Sequence, residues 1–278
     1  LKSFLACLED RDLMRLALGI EMDGAPALAR SAKLVCFDCE EWTGGSKPLT
    51  EIGVCEFSCA DTAPLLKAPG PHAEAIFKQI RFRHYRMKKY AHLVNQKWVF
   101  GNPDTNIFGQ TTFITEKEAK NAMEDHFHEL IDPSKPELGF RPVLVLGHAI
   151  KGDLKMLQSA IDFDLGGCDT TVAFIDTQRI AMGLGLEGKG GRRNLIGLEN
   201  LCMLMDVPYK HGHTALNDAA FTMFSGIKMA IGTLSETGKT SQEVFDNVAR
   251  LSNHQNNPYG VKVYCVKCAK TGHSAKDC

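Results

Sequence analysis

The chain has 278 residues, 44% hydrophobic and 23% charged, enough for one sizeable core plus a small appendage. Its formal net charge of −1 excludes attraction of nucleic acid by the molecule as a whole, so any such binding must come from local patches. No apolar run approaches the ~18 residues of a membrane span, and the start meets Glu9, Asp10 and Arg11 too soon to be a secretory signal.

Taken in order, the first 30 residues predict a short helix around Leu8–Gly19 and then a Gly/Pro/Ala turn. Residues 34–40 predict a strand that is apolar until its acids appear, and Leu49–Phe57 a second strand pairing with it as a hairpin. Pro64, Pro69 and Pro71 break the next stretch. Ile76–Leu93 is amphipathic and very basic, and 100–109 is rich in turns. Thr115-x-x-Glu118 is a capping box opening a helix to about Leu130. Val143–Gly147 is wholly apolar, as a central strand is, and a helix over Lys151–Ile161 presents Leu154, Leu157 and Ile161 to a core. Thr171–Asp176 is another strand and leads into Thr177–Met182; Gly183–Arg193 is a glycine-rich basic loop. Further helices are predicted at 195–205, 213–231 and 241–252, the last after the box Thr240-x-x-Glu243. Early strands and later interleaved helices predict an α/β sheet covered by helices.

Seven of the ten cysteines are scattered, several within apolar strands where thiols fill cores, and nothing requires a disulfide framework. A reducing, intracellular compartment fits, with nucleus and cytoplasm not distinguished. The chain starts on Leu1 rather than methionine and ends on a proposed metal ligand, which leaves room for segments beyond both ends.

Four acids and a histidine carry the chemistry. Asp38 and Glu40, two apart in a strand, project from one face. Asp153 lies one turn into the helix after a central strand, and Asp218 lies early in another helix. Each of these alone reads as a helix cap, and His213 alone as a surface residue. Together, converging carboxylates repel each other unless cations neutralise them, and oxygen ligands suit Mg²⁺ or Mn²⁺. Two such ions about 3.5–4 Å apart activate water and stabilise a leaving oxygen. His213 can take the water's proton, a free imidazole having a pKa of about 6.5.

These residues resemble the DEDDh group of 3′-to-5′ exonucleases. Asp38 and Glu40 match its Asp-x-Glu motif. Gly147, His148 and Asp153 match the second, with Ala149 where Asn is common, and His213, Ala215 and Asp218 match His-x-Ala-x-x-Asp. The first motif departs by one extra residue in Glu40-Glu41-Trp42-Thr43-Gly44. The resemblance covers roughly residues 30–235 and implies a ribonuclease-H-like mixed sheet flanked by helices. It also implies two metal ions held by Asp38, Glu40, Asp153 and Asp218, with His213 as general base. Ile80–Phe113 is similar to a fungal subfamily related to a protein implicated in mRNA export. The implied organisation is an N-terminal helical extension (1–30), an exonuclease domain (31–252, with a basic insertion about 64–112), and a linker with a C-terminal module (253–278).

The substrate expected is single-stranded, its bases stacking and its phosphates meeting cations. Candidate contacts are Glu41, Trp42 and His148; Arg81, Arg83, Arg86, Lys88 and Lys89 of the basic stretch; and Arg192 and Arg193 as a basic lip. The alternative for the basic stretch is a solvated helix face with its aromatics turned inward.

Cys265-x2-Cys268-x4-His273-x4-Cys278 has four ligands at compact spacing and too little apolar surface for a core, so a metal, expected to be Zn²⁺, must organise it. The spacing resembles the zinc knuckle, a family that binds single-stranded nucleic acid, with Ala269 in place of a common Gly. Knuckle and subfamily resemblance favour RNA over DNA. The reading is a metal-dependent 3′-to-5′ exonuclease releasing nucleoside 5′-monophosphates. Its rivals are a catalytically weak RNA-binding adaptor in mRNA export or processing, and a DNA proofreader.

Overall fold

The computed structural model describes residues 1–96, 99–188, 195–232 and 238–278. Arg192 and Arg193, expected as a basic lip, lie outside the described residues. After helix α1 (Asp10–Ala17), strands β1 (Lys33–Glu41), β2 (Leu49–Ser58), β3 (Arg81–Met87) and β4 (Thr111–Ile114) precede helix α2 (Glu116–Phe127). Then come β5 (Val143–Gly147), α3 (Lys151–Ile161), β6 (Thr171–Asp176), α4 (Thr177–Gly183), α5 (Leu198–Leu204), α6 (Ala215–Ile231) and α7 (Ser241–Ser252). The six strands form one mixed sheet in the order β4-β3-β2-β1-β5-β6. β1–β2 and β2–β3 pair antiparallel; β3–β4, β1–β5 and β5–β6 pair parallel. Both predicted capping boxes, at Thr115 and Thr240, are formed.

Period-two alternation along β1 assigns its faces. Leu34 and Cys36 join a core with α1 and α6, whereas Val35, Phe37 and Cys39 join a second core under α2 and α3. Asp38 and Glu40 continue the Leu34/Cys36 face beyond the point where apolar cover ends. The extra residue of the first motif is absorbed by a break in register between Glu40 and Glu41, a bulge that leaves the two acids in phase.

The basic stretch is not a helix face. Arg81–Met87 is an inner strand, and its cations meet protein partners. Arg81 pairs with Glu56 and Glu129, Arg83 donates to the carbonyl of Phe82, Arg86 pairs with Asp104, and Lys88 pairs with Glu118. Lys89 stays exposed, 3.7 Å from Glu116 and over the ring of Tyr90. A charge inside a sheet is tolerated only when paired, and the acids that pair these come from distant segments.

The segment expected as a linker is fastened to the domain. Gln255 bonds Phe82 and Ile80, Asn257 bonds Thr112, and Val261 exchanges two backbone hydrogen bonds with Phe113 at the β4 edge. That pairing covers an otherwise open strand. Among the described residues, no helix is long and apolar enough to cross a membrane.

Candidate functional site

β5 runs beside β1 only as far as Cys36, so the edge of β1 is free beyond it. The N–H of Cys39 on that edge donates to Asp153 Oδ1 at 3.0 Å, which fixes the α3 carboxylate between Asp38 and Glu40 in sequence. From the other side α6 brings Asp218, whose Oδ2 accepts the His213 N–H at 2.9 Å. Oxygens of Glu40 and Asp218 and a ring nitrogen of His213 lie within 4.8 Å of one another. The structure thus brings all five residues to one depression. Asp153 and Asp218 are buried, Asp38 and Glu40 are half-buried, and His213 is exposed at the mouth.

α6 reaches this position because β2 has no side chain at Gly53. A Cβ there would stand 2.2 Å from the Leu216 nitrogen. The turn carrying His213 is left-handed at His211 (φ 52°) and His213 (φ 59°), a conformation that needs support in non-glycine residues. A strap over residues 100–107 supplies it. Gly101 lies so close that a Cβ would meet the His213 carbonyl oxygen at 2.2 Å, and Thr214 donates to the Asn102 carbonyl. Fully buried Asn217 accepts from the Ile107 N–H and donates to the carbonyls of Thr105 and His211. The same insertion ties down the end of the first motif: Asn95 accepts from Thr43 and donates to the Glu41 carbonyl.

Sequence reading missed Glu51 and Asn217. Glu51 faces Glu40 across the β1–β2 ladder; its carboxylate is bonded by His84 at 2.9 Å and lies 3.4 Å from the Ala215 nitrogen. Only the hairpin register could have revealed it.

Loss of water around the acids, then their mutual repulsion, raises every carboxyl of the set. Asp38 is held well above the usual range by burial and by Asp153, Asp218 and Glu40. Glu40 is pushed up to about 9 by burial and Glu51. Burial takes Asp153 to about 7 against the pull of the Cys39 N–H, and Asp218 to about 6 against that of His213. Such a donor set fits divalent cations, which remove the repulsion. Acids with raised folded pKa values hold protons that the unfolded chain has lost, so stability falls as pH rises through that window. The metal-free protein is expected to melt at progressively lower temperature from the usual carboxylate range up to about 9, the value for Glu40. Added Mn²⁺ should restore most of the loss; a melting temperature flat in pH contradicts this.

His148 Nδ1 bonds Thr177 Oγ1 at 2.8 Å while its Nε2 is buried without a protein partner. Ala149, in the motif's Asn position, is left-handed (φ 58°), a conformation Asn tolerates better than Ala. Ala149→Asn is expected to stabilise the protein by up to about 1 kcal/mol in urea unfolding, and an unchanged midpoint contradicts that. The ring of Trp42 lies against Gly44 and Gly45, and Glu41 pairs with Lys47. Phe100, 75% exposed, sits on the strap beside the Gly101 contact to His213.

A second cluster joins Cys265, Cys268, His273 and Cys278, whose ligand atoms lie within 4.8 Å of one another. Burial pushes the Cys265 thiol up, but the N–H groups of Cys268 and Lys267 and the neighbouring thiols outweigh it and bring it to about 6. A thiol so easily ionised suits a soft cation.

A mixed sheet flanked by helices, with motif acids gathered at the end of a central strand, defines a ribonuclease-H-like protein with a C-terminal Cys/His cluster like a zinc knuckle. The family model DEDDh_C, described as "DNA polymerase III subunit epsilon-like, C-terminal domain", matches residues 33–229, and the chain belongs to that family. A curated relative is "Good for full DBP5 activity protein 2" of Saccharomyces cerevisiae, 24% identical over 214 residues, 70% of this chain and 35% of that protein. Similar solved structures include the zinc-bound complex of E. coli ExoI with ssDNA (10% identity, TM-score 0.43, 69% of this chain and 39% of that one). Another is E. coli exonuclease I with a dA16 oligonucleotide (11%, 0.43, 78% and 42%). The chain therefore spans about a third of the yeast relative's length (35%) and about two fifths of these exonuclease chains (39% and 42%).

Proposed function

We propose that the chain is a metal-dependent 3′-to-5′ exonuclease on single-stranded nucleic acid, with RNA preferred to DNA. What carries the reading is the meeting of four carboxylates and an exposed imidazole in one depression. Asp38, Glu40, Asp153 and Asp218 would hold two Mg²⁺ or Mn²⁺ ions. When bound, these supply charge neutralisation at the scissile phosphate and acidify water. His213 takes the proton of the attacking water from the mouth of the site. The water oxygen bonds to the last phosphorus, the bond to the 3′-oxygen breaks, that oxygen leaves protonated, and a nucleoside 5′-monophosphate is released. His148, Glu41, Trp42 and Phe100 are the proposed nucleotide contacts, with Arg192 and Arg193 completing the lip. Arg81, Arg83, Arg86 and Lys88, paired within the protein, are left out of that set, and exposed Lys89 remains as a peripheral contact. Zn²⁺ would organise Cys265, Cys268, His273 and Cys278 and hold the upstream strand.

The comparisons lean toward a second reading, a catalytically weak RNA-binding adaptor in mRNA export or processing. The observation behind it is the yeast relative, whose name ties it to the full activity of another protein. Incubation of 5′-labelled single-stranded RNA and DNA with Mn²⁺ separates the readings. A ladder shortening from the 3′ end, stronger for RNA, supports the enzyme. Binding with no shortening of either supports the adaptor, and shortening of DNA alone supports a proofreader.

A further inference from the structure

One row of cross-strand neighbours leads from the acid site to the Cys/His module. Glu40 faces Glu51, Glu51 faces Arg86, Arg86 faces Phe113, and Phe113 stacks on Tyr264 with ring centroids 5.2 Å apart. Directly opposed residues share a face, so the module is anchored on the same face and row as the acids. Three interstrand steps put the anchor about 14 Å from Glu40. The module cannot drift from this position freely, because Val261 is bonded to Phe113 and the Tyr264 hydroxyl donates to the Lys88 carbonyl.

Along this row lies an open polar cleft of about 520 Å³, walled by Arg86, Asn106, Gln110, Phe113, Asn253 and Lys262. Its two amides are fixed by their nitrogens. Asn106 Nδ2 donates to the carbonyls of Phe108 and Gly109, and Gln110 Nε2 donates to that of Asn253. Their oxygens, Asn106 Oδ1 and Gln110 Oε1, are buried without a donor. Buried acceptors normally have partners, so two of them in one wall call for a ligand bearing N–H or O–H groups. Lys262 is exposed on the rim, while the Arg86 guanidinium is neutralised by Asp104.

We infer that this cleft is a binding subsite for single-stranded nucleic acid running between the module and the acid site. Base amino groups or ribose hydroxyls meet the two amide oxygens, and a phosphate meets Lys262. The inference rests on the proposed substrate class. Because the module is anchored, the cleft sets a length requirement: about 14 Å corresponds to about four stacked nucleotides at ~3.4 Å each. A strand must exceed that length, plus the terminal nucleotide, to reach both ends.

The test uses the zinc-loaded full chain without added Mg²⁺ or Mn²⁺, and 5′-fluorescein oligouridylates and oligothymidylates of four, eight and twelve nucleotides. Fluorescence anisotropy is expected to show affinity rising at least about tenfold from four to eight and little from eight to twelve. Gln110→Ala and Lys262→Glu should each remove most of that step while leaving four-nucleotide binding unchanged. A larger step for oligouridylate assigns the amide oxygens to ribose hydroxyls; equal steps assign them to bases. Affinity that rises evenly with length, or a step that survives both substitutions, overturns the inference. Cleavage of the four-nucleotide strand with Mn²⁺ reads the acid site separately. Cleavage without a length step removes the cleft and keeps the enzyme; a length step without cleavage does the reverse.

Discussion

His213→Ala is expected to slow 3′-end hydrolysis by about 10²–10⁴-fold, the usual contribution of a positioned general base, while single-strand affinity stays within about twofold. The separation comes from where the residue sits. Its ring is exposed at the mouth, and its backbone N–H, which alanine retains, is the group that bonds Asp218. The strap contacts also use backbone and neighbours: Gly101 abuts the His213 carbonyl, and Asn217 holds the His211 carbonyl. The substitution therefore removes an imidazole and little else. Single-turnover rates at saturating RNA read the chemical step. A rate within threefold of wild type would remove His213 as the base, and a parallel loss of affinity would make it a binding residue.

The largest stability effect is expected at Lys33→Ala, about 3–5 kcal/mol, because it strands a buried carboxylate. Lys33 is 1% exposed, and its ammonium lies 2.7 Å from Glu56, 2.9 Å from Glu129 and 3.0 Å from the His126 carbonyl. Burial pushes Glu56 up, but His126, Lys33 and Arg81 together hold it well below the carboxylate range. Removing Lys33 leaves that burial opposed by fewer partners. Urea unfolding measures the loss, and a change under 1 kcal/mol would show that Arg81 and His126 suffice.

The legible parts of the chain were those with local signals. The all-apolar β5, the helix after it and the two capping boxes need only their own neighbours to form, and their bounds agree with the structure. The four acids and His213 could be placed because each motif carries its own strand or helix start. Arg81–Met87 misled because its alternation is between aromatic or titratable residues rather than between apolar and polar ones. What buries its charges is Glu56, Glu129 and Asp104, none adjacent in sequence. Glu51 and Asn217 act through strand register and a strap a hundred residues away, which no local pattern encodes. The docking of 255–264 was hidden for a related reason. A polar stretch reads as a linker until Gln255, Asn257 and Val261 find their partners on β3 and β4.

The most direct measurement is a calorimetric titration of the chain with Mn²⁺, run in two buffers of different ionisation enthalpy so that proton release is counted. Two saturable ions should bind at the acid site with net release of protons, since Glu40 and Asp153 are raised to about 9 and about 7 before binding. Both the ions and the proton release should be lost in the Asp38→Asn/Asp153→Asn double variant. Mn²⁺ binding that is absent, or that persists unchanged in the double variant, would contradict a cation-demanding pocket at the end of β1.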